Sequence, residues 1–186
     1  MAEYRVVSRY VKSLLDLAAE TNVLDDVHSD LLLFTQVCDE NKTFMVLLKS
    51  PIIRNEKKTQ IIHSIFKNKV NALTMAFLDI VVRKNRDPLL YAIAKEFHNA
   101  YNTLKGIEAA TVTTAVQLDN KLRADIEALV KKISGKQTIE LEEKIDAEMV
   151  GGFVLKVGDR QVDASLKSKL NELKVKFSQN PYAKAL

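Results

Sequence analysis

Up to Gly106 the apolar residues of this chain recur every three or four positions, and beyond it two stretches alternate apolar and polar residues one by one. That change of period constrains the fold more than any other feature, because a 3.6-residue repeat belongs to amphipathic helices and a two-residue repeat to half-buried strands. The sequence therefore reads as mostly α, with helices filling residues 1–105 and a small α+β domain over 106–186. Only 5 Gly and 3 Pro among 186 residues supply little turn chemistry, which argues against sandwiches and barrels built on many tight turns.

Val7, Val11, Leu14 and Ala18 form the stripe of a first helix, and Asn22 is placed to cap a second bearing Leu24, Val27, Leu31, Phe34 and Cys38. Asn41-Lys42 interrupts it. A short third helix around residues 44–48 stops at Ser50-Pro51, since proline disfavours helical geometry in the residue before it. Asn55 offers a cap for a fourth helix, with Ile61, Ile62, Ile65 and Phe66 facing inward and Asn68 ending it. The fifth, over residues 70–84, carries Leu73, Phe77, Ile80 and Val81 on one stripe and Met75, Leu78 and Val82 on another. A helix apolar on two sides must be central in its bundle or present its second side to something else, because a small domain cannot cover it fully with its own chain; this is a first hint of a partner groove. Asn85-Arg86-Asp87-Pro88 breaks the pattern before a sixth helix with Leu90, Ile93, Phe97, Tyr101 and Leu104, ended by Gly106.

Beyond Gly106, residues 111–116 read as a strand, Asp119 caps a helix bearing Leu122, Ile126, Leu129 and Ile133, and Gly135 ends it before a second strand at Ile139 and Leu141. This is a β-α-β crossover. Residues 150–157 read as a further strand, Gly158-Asp159 as a turn, and Asp163 or Ser165 as the cap of a last helix with Leu166, Leu170, Leu173 and Phe177.

A single Cys leaves no internal disulfide framework and no multi-cysteine zinc site, so a reducing compartment is expected. Residues 1–5 lack the apolar core of a signal peptide, and no run approaches the roughly 18 apolar residues that span a bilayer. The net charge is +4, with the two signs interspersed through both halves. A basic helical nucleic-acid binder or scaffold is the competing reading, motivated by pI ≈ 9.0 and the lysines of the last helix. No basic cluster, aromatic platform or nucleic-acid motif backs it, so no nucleic-acid partner is expected. Phosphate-cradling loops are absent, and Gly151-Gly152 falls within a strand pattern where close backbone packing is the ready explanation. His28, His63 and His98 sit at equal intervals without any pair on one helical face, so they read as surface or half-buried residues rather than ligands. Glu142-Glu143 reads as a solvated strand face and Cys38 as a core thiol, which leaves no catalytic constellation.

The stretch Met149-Val150-Gly151-Gly152-Phe153-Val154-Leu155-Lys156-Val157-Gly158-Asp159-Arg160-Gln161-Val162-Asp163-Ala164-Ser165-Leu166 closely resembles the glycine, strand, Gly-Asp turn and Asp-x-Ser signature of the delta subunit of F-type ATP synthase, the OSCP family. Arg9-Tyr10-Val11-Lys12, Ser50-Pro51-Ile52, Asn85-Arg86 and Val112-Thr113-Thr114-Ala115 follow in the family's order, so the resemblance spans the chain. Ser8 and Val11 depart from the small residues usual in the first helix, and Asn85 from the usual glycine. The resemblance implies a non-catalytic connector without cofactor or metal, joining the catalytic head to the peripheral stalk and resisting rotation during proton-driven ATP synthesis. It implies an N-terminal six-helix bundle, 1–105, that receives the N-terminal helix of an ATP synthase alpha subunit between its first and fifth helices. By position Tyr10, Leu14, Phe77, Ile80 and Val81 would anchor that helix. The domain over 106–186 would meet the peripheral stalk b subunits, with Gly152, Lys167 and Lys174 as candidate contacts. Membrane association would come only through the complex, at the cytoplasmic side of a bacterial inner membrane.

Overall fold

A computed structural model describes residues 2–136, 138–147 and 149–178. The described residues form eight α-helices and four strands, mostly helical with a small mixed sheet in the C-terminal part. The chain divides into two compact units, Met1–Tyr101 and Asn102–Leu186.

Helices α1 (Ala2–Glu20), α2 (Leu24–Glu40), α3 (Lys42–Lys49), α4 (Asn55–Phe66), α5 (Ala72–Arg83) and α6 (Leu90–Lys105) follow one another, with a 3-10 turn at Asp87–Leu89. Their inward stripes close one core around Phe34, Phe44, Phe66 and Phe97. The ring of Phe34 lies 5.5 Å from that of Phe66 and 6.0 Å from that of Phe44, the range in which aromatic pairs attract. Two asparagines differ from the role the sequence suggests. Asn22 does not cap α2: it is left-handed at φ 56° and closes α1, with the Val23 N–H donating back to the Ala18 carbonyl. Asn55 caps nothing either, because it is already the first residue of α4 and its amide donates to the Asn85 side chain at 2.7 Å. Asn85, at φ 55°, does for α5 what Asn22 does for α1.

The start of α5 is fixed from two directions. The Asn71 side chain caps it, accepting from the Leu73 N–H. From α2, the carboxylate of buried Asp30 accepts from the Asn71 N–H and the Thr74 hydroxyl, both at 2.7 Å. A carboxylate at a helix N-terminus satisfies open donors and meets the positive end of the helix dipole.

In the second unit β1 (Ile107–Thr114) pairs in parallel with β2 (Thr138–Ile145) through the crossover helix α7 (Asn120–Ser134), which Asp119 caps and left-handed Gly135 ends. Antiparallel β3 (Phe153–Val157) and β4 (Arg160–Asp163) complete the order β2-β1-β3-β4. Val112, Leu155, Val157, Ile126 and Val130 make the small core between sheet and α7. Strand β3 begins at Phe153 rather than at residue 150, because Gly151 and Gly152 take positive φ values that an extended ladder does not admit. All four residues of β4 are exposed, and the opposite edge strand β2 turns Glu140, Glu142 and Lys144 to solvent. Helix α8 (Leu166–Ser178) has no buried residue.

Candidate partner-binding surfaces

The five residues expected to anchor a helix at α1 and α5 fall at three depths. Leu14 and Val81 are core residues, 2% and 0% exposed, so they support the surface from beneath and offer none of it. Tyr10 and Phe77 are half-buried and meet edge to face, ring centroids 6.2 Å apart at 76°. Ile80, one turn beyond Phe77, is 50% exposed. The structure adds Leu17, 46% exposed and two turns beyond Tyr10 on the same face of α1. The stripe of Val7, Val11, Leu14 and Ala18 directs attention to the buried side of α1, which is why Leu17 escapes a reading of periodicity. Of the two apolar stripes of α5, Leu78, Val81 and Val82 are buried, Leu73, Met75 and Phe77 are half-buried against the core, and Ile80 is the one that stands exposed.

In the second unit a cavity of about 470 Å³ opens between the start of α7 and the glycine pair, lined by Leu118, Leu122, Ile126, Leu129, Phe153 and Gly152 among others. Gly152 has a structural task at its rim: a Cβ built there would lie 2.4 Å from the Ala164 carbonyl oxygen and 2.9 Å from the Ser165 Cα. Next to that contact the head of α8 is tied down. Asp163 accepts from the Ser168 hydroxyl at 2.6 Å and from the Ser165 N–H at 2.8 Å, while Ser165 Oγ accepts from the Ser168 N–H. The Ser168 hydrogen bond, followed by those from Ser165, holds the Asp163 carboxyl below the usual carboxylate range. Lys167 and Lys174 stand exposed on α8.

Two of the evenly spaced histidines are neighbours after all. His28 Nε2 lies 2.9 Å from His98 Nδ1, and the His28 ring stacks on Tyr101 at 3.8 Å, whose hydroxyl donates to Asp25. His63 pairs instead with Asp79 at 2.9 Å. Among the described residues no group of three or more histidine, cysteine or carboxylate side chains gathers to hold a metal ion. Cys38 is buried, and burial first, with the charge of Asp39 second, pushes its thiol up to about 12. The nucleophilic thiolate is therefore scarce at neutral pH. At pH 8 a chromogenic disulfide reagent is expected to label far less than one thiol per native chain within the time that labels the chain in denaturant completely; equal rates would contradict the buried placement.

A family model described as ATP synthase delta (OSCP) subunit matches residues 6–177. ATP synthase subunit delta of Cytophaga hutchinsonii is 39% identical over 179 residues, covering 96% of this chain and 97% of that protein. The protein of the same description from Lactobacillus johnsonii is 34% identical over 181 residues, with 97% and 98% covered. A chain in the cryo-EM structure of the Toxoplasma gondii mitochondrial ATP synthase hexamer shares the fold, with a TM-score of 0.74 over 94% of this chain and 98% of that one at 20% identity.

Proposed function

The chain belongs to the ATP synthase delta (OSCP) subunit family, and from that premise we propose that its first 105 residues form a six-helix bundle that grips the N-terminal helix of an alpha subunit, while residues 106–186 hold the b subunits of the peripheral stalk. As a member of that family it is a non-catalytic subunit of the ATP synthase complex that links the catalytic head to the stator. It is peripheral to the membrane complex, and no helix among the described residues is long and apolar enough to cross a membrane. In our reading it sits on the cytoplasmic side of a bacterial inner membrane.

A shaft turning inside the head drags it along unless something stationary resists, and an unrestrained head would dissipate the torque. A connector therefore works by affinity and stiffness and needs no chemistry of its own. The observation that carries the bundle half of the proposal is the apolar row of Ile80, Phe77 and Tyr10 at the surface, with Leu14 and Val81 packed rigidly below. Such a row suits the i, i+3, i+4, i+7 anchors of an amphipathic helix laid into a groove.

Ile80→Glu is expected to leave the circular dichroism unchanged, because Ile80 is half in water already. Affinity for a peptide copy of the alpha N-terminal helix should fall by about 2–4 kcal/mol, as for loss of a hot-spot contact. Calorimetric titration of the full chain decides it, and wild-type affinity in the variant would move the binding face elsewhere.

A further inference from the structure

Four of the five apolar residues of α8 are spaced four, three and four apart, as Leu166, Leu170, Leu173 and Phe177, and they are 45%, 60%, 47% and 82% exposed; the fifth, Val175, falls outside this row. This is the d-a-d-a register of two heptads. In that register the flanking e and g positions are residues 167, 169, 174 and 176, and every one of them is lysine. At 100° per residue the four apolar side chains span only about 60° of the helix surface, the width of a coiled-coil seam rather than of a core-facing stripe. Ser168, Asn171, Glu172 and Ser178 put polar groups on the far side, around a single apolar residue there, the half-exposed Val175.

We propose that α8 is one half of a heterotypic helix pair whose other half is an amphipathic partner helix with acidic residues flanking its own apolar seam. The proposal deepens the reading of residues 106–186 as the stalk-binding half and rests on it only for the source of that helix. Charge selects the occupant. Pairing α8 with a second copy would set lysine rows against each other, which e and g charges of like sign disfavour, whereas Glu or Asp at those positions of a partner would meet all four ammonium groups. A lipid surface is the poorer fit, because interfacial helices bury a broad apolar face and this seam is narrow. The hydrogen bonds of Asp163, Ser165 and Ser168 fix the first turn, so the seam is presented already helical.

The test uses the full chain and a variant with Lys167→Glu, Lys169→Glu, Lys174→Glu and Lys176→Glu, all on exposed positions of α8. Two four-heptad peptides with Leu at a and d, one with Glu and one with Lys at e and g, are titrated against each protein at low and high salt. The wild type should bind the Glu peptide at least tenfold more tightly than the Lys peptide, with the difference shrinking in salt, and the variant should reverse the preference. No discrimination between the peptides, self-association of the wild type, or lysine-dependent binding to phosphatidylglycerol vesicles without peptide selectivity would each overturn the proposal. A parallel titration with the soluble part of a stalk b dimer separates the two readings. Binding that the variant retains overturns the α8 seam and leaves the stalk assignment standing; no binding by the wild type overturns the stalk assignment, and the peptides still decide the seam.

Discussion

Gly152→Ala is expected to destabilise the second unit by about 2–5 kcal/mol, the sum of a left-handed backbone forced on a residue with a Cβ and of overpacking against fixed neighbours. The glycine sits at φ +83°, and its missing Cβ would fall 2.4 Å from the Ala164 carbonyl oxygen, a backbone atom that no rotamer change can remove. Either the strand-to-helix connection at Ala164 and Ser165 moves, which disturbs the start of α8, or Gly152 moves and takes the beginning of β3 with it. A unit with so small a core has little stability in reserve. Urea denaturation followed by amide signals from both units should show the transition of residues 102–186 moving to lower urea while that of residues 1–101 stays in place. If the variant instead kept its fold and lost only stalk binding, Gly152 would be a contact residue and its close approach to Ala164 tolerable.

Lys58→Ala is expected to cost the first unit about 3–5 kcal/mol, the usual penalty for removing one member of a buried ion pair. Lys58 on α4 is 2% exposed and Asp87 4%; the ammonium pairs with the Asp87 carboxylate and donates to the Leu48 carbonyl at 3.1 Å. That carbonyl belongs to the last turn of α3, which the cation therefore caps. Alanine would leave a carboxylate and a helix-end carbonyl without their cation in a dry site. The double variant Lys58→Met, Asp87→Leu should recover most of the loss, since removing both charges abolishes the desolvation problem that removing one creates. The displacement of the urea midpoint at constant slope measures both effects. A loss below about 1 kcal/mol for Lys58→Ala would mean that the pair is as weakly coupled as a surface salt bridge.

Neither Lys58 nor Asp30 stands out in the sequence, and the reason is physical. Periodicity reports which face of a segment avoids water, so the stripes of α1 to α6 and the strand alternation around β1 and β2 could be read directly. Turn chemistry is equally local, and Gly158-Asp159 marks the β3–β4 hairpin as expected. A pairing such as Asp30 with Thr74 joins groups 44 residues apart, and each partner alone resembles an ordinary polar residue on a helix. The same holds for His28 and His98, 70 residues apart, whose equal spacing carried no usable sign of their contact. Depth was the other gap. Phe77, Ile80 and Val81 share an apolar reading, yet Val81 is sealed, Phe77 half covered and Ile80 open, because the curvature and tilt of neighbouring helices set coverage and leave no trace in composition. In α8 the four lysines could be read as a basic helix; their alignment with a narrow unburied seam became visible once none of the helix's residues proved to be buried.

The two edges of the small sheet bear on the time before this subunit finds its complex. A newly made chain must wait in a crowded solution with open hydrogen-bonding rims that invite another chain to add a strand. Here one rim is a four-residue strand ending in Arg160 and Asp163, too brief to template an intruder, and the other bristles with Glu140, Glu142 and Lys144. Neither rim therefore presents the long, flat, uncharged edge on which a free subunit would recruit a second chain into its sheet.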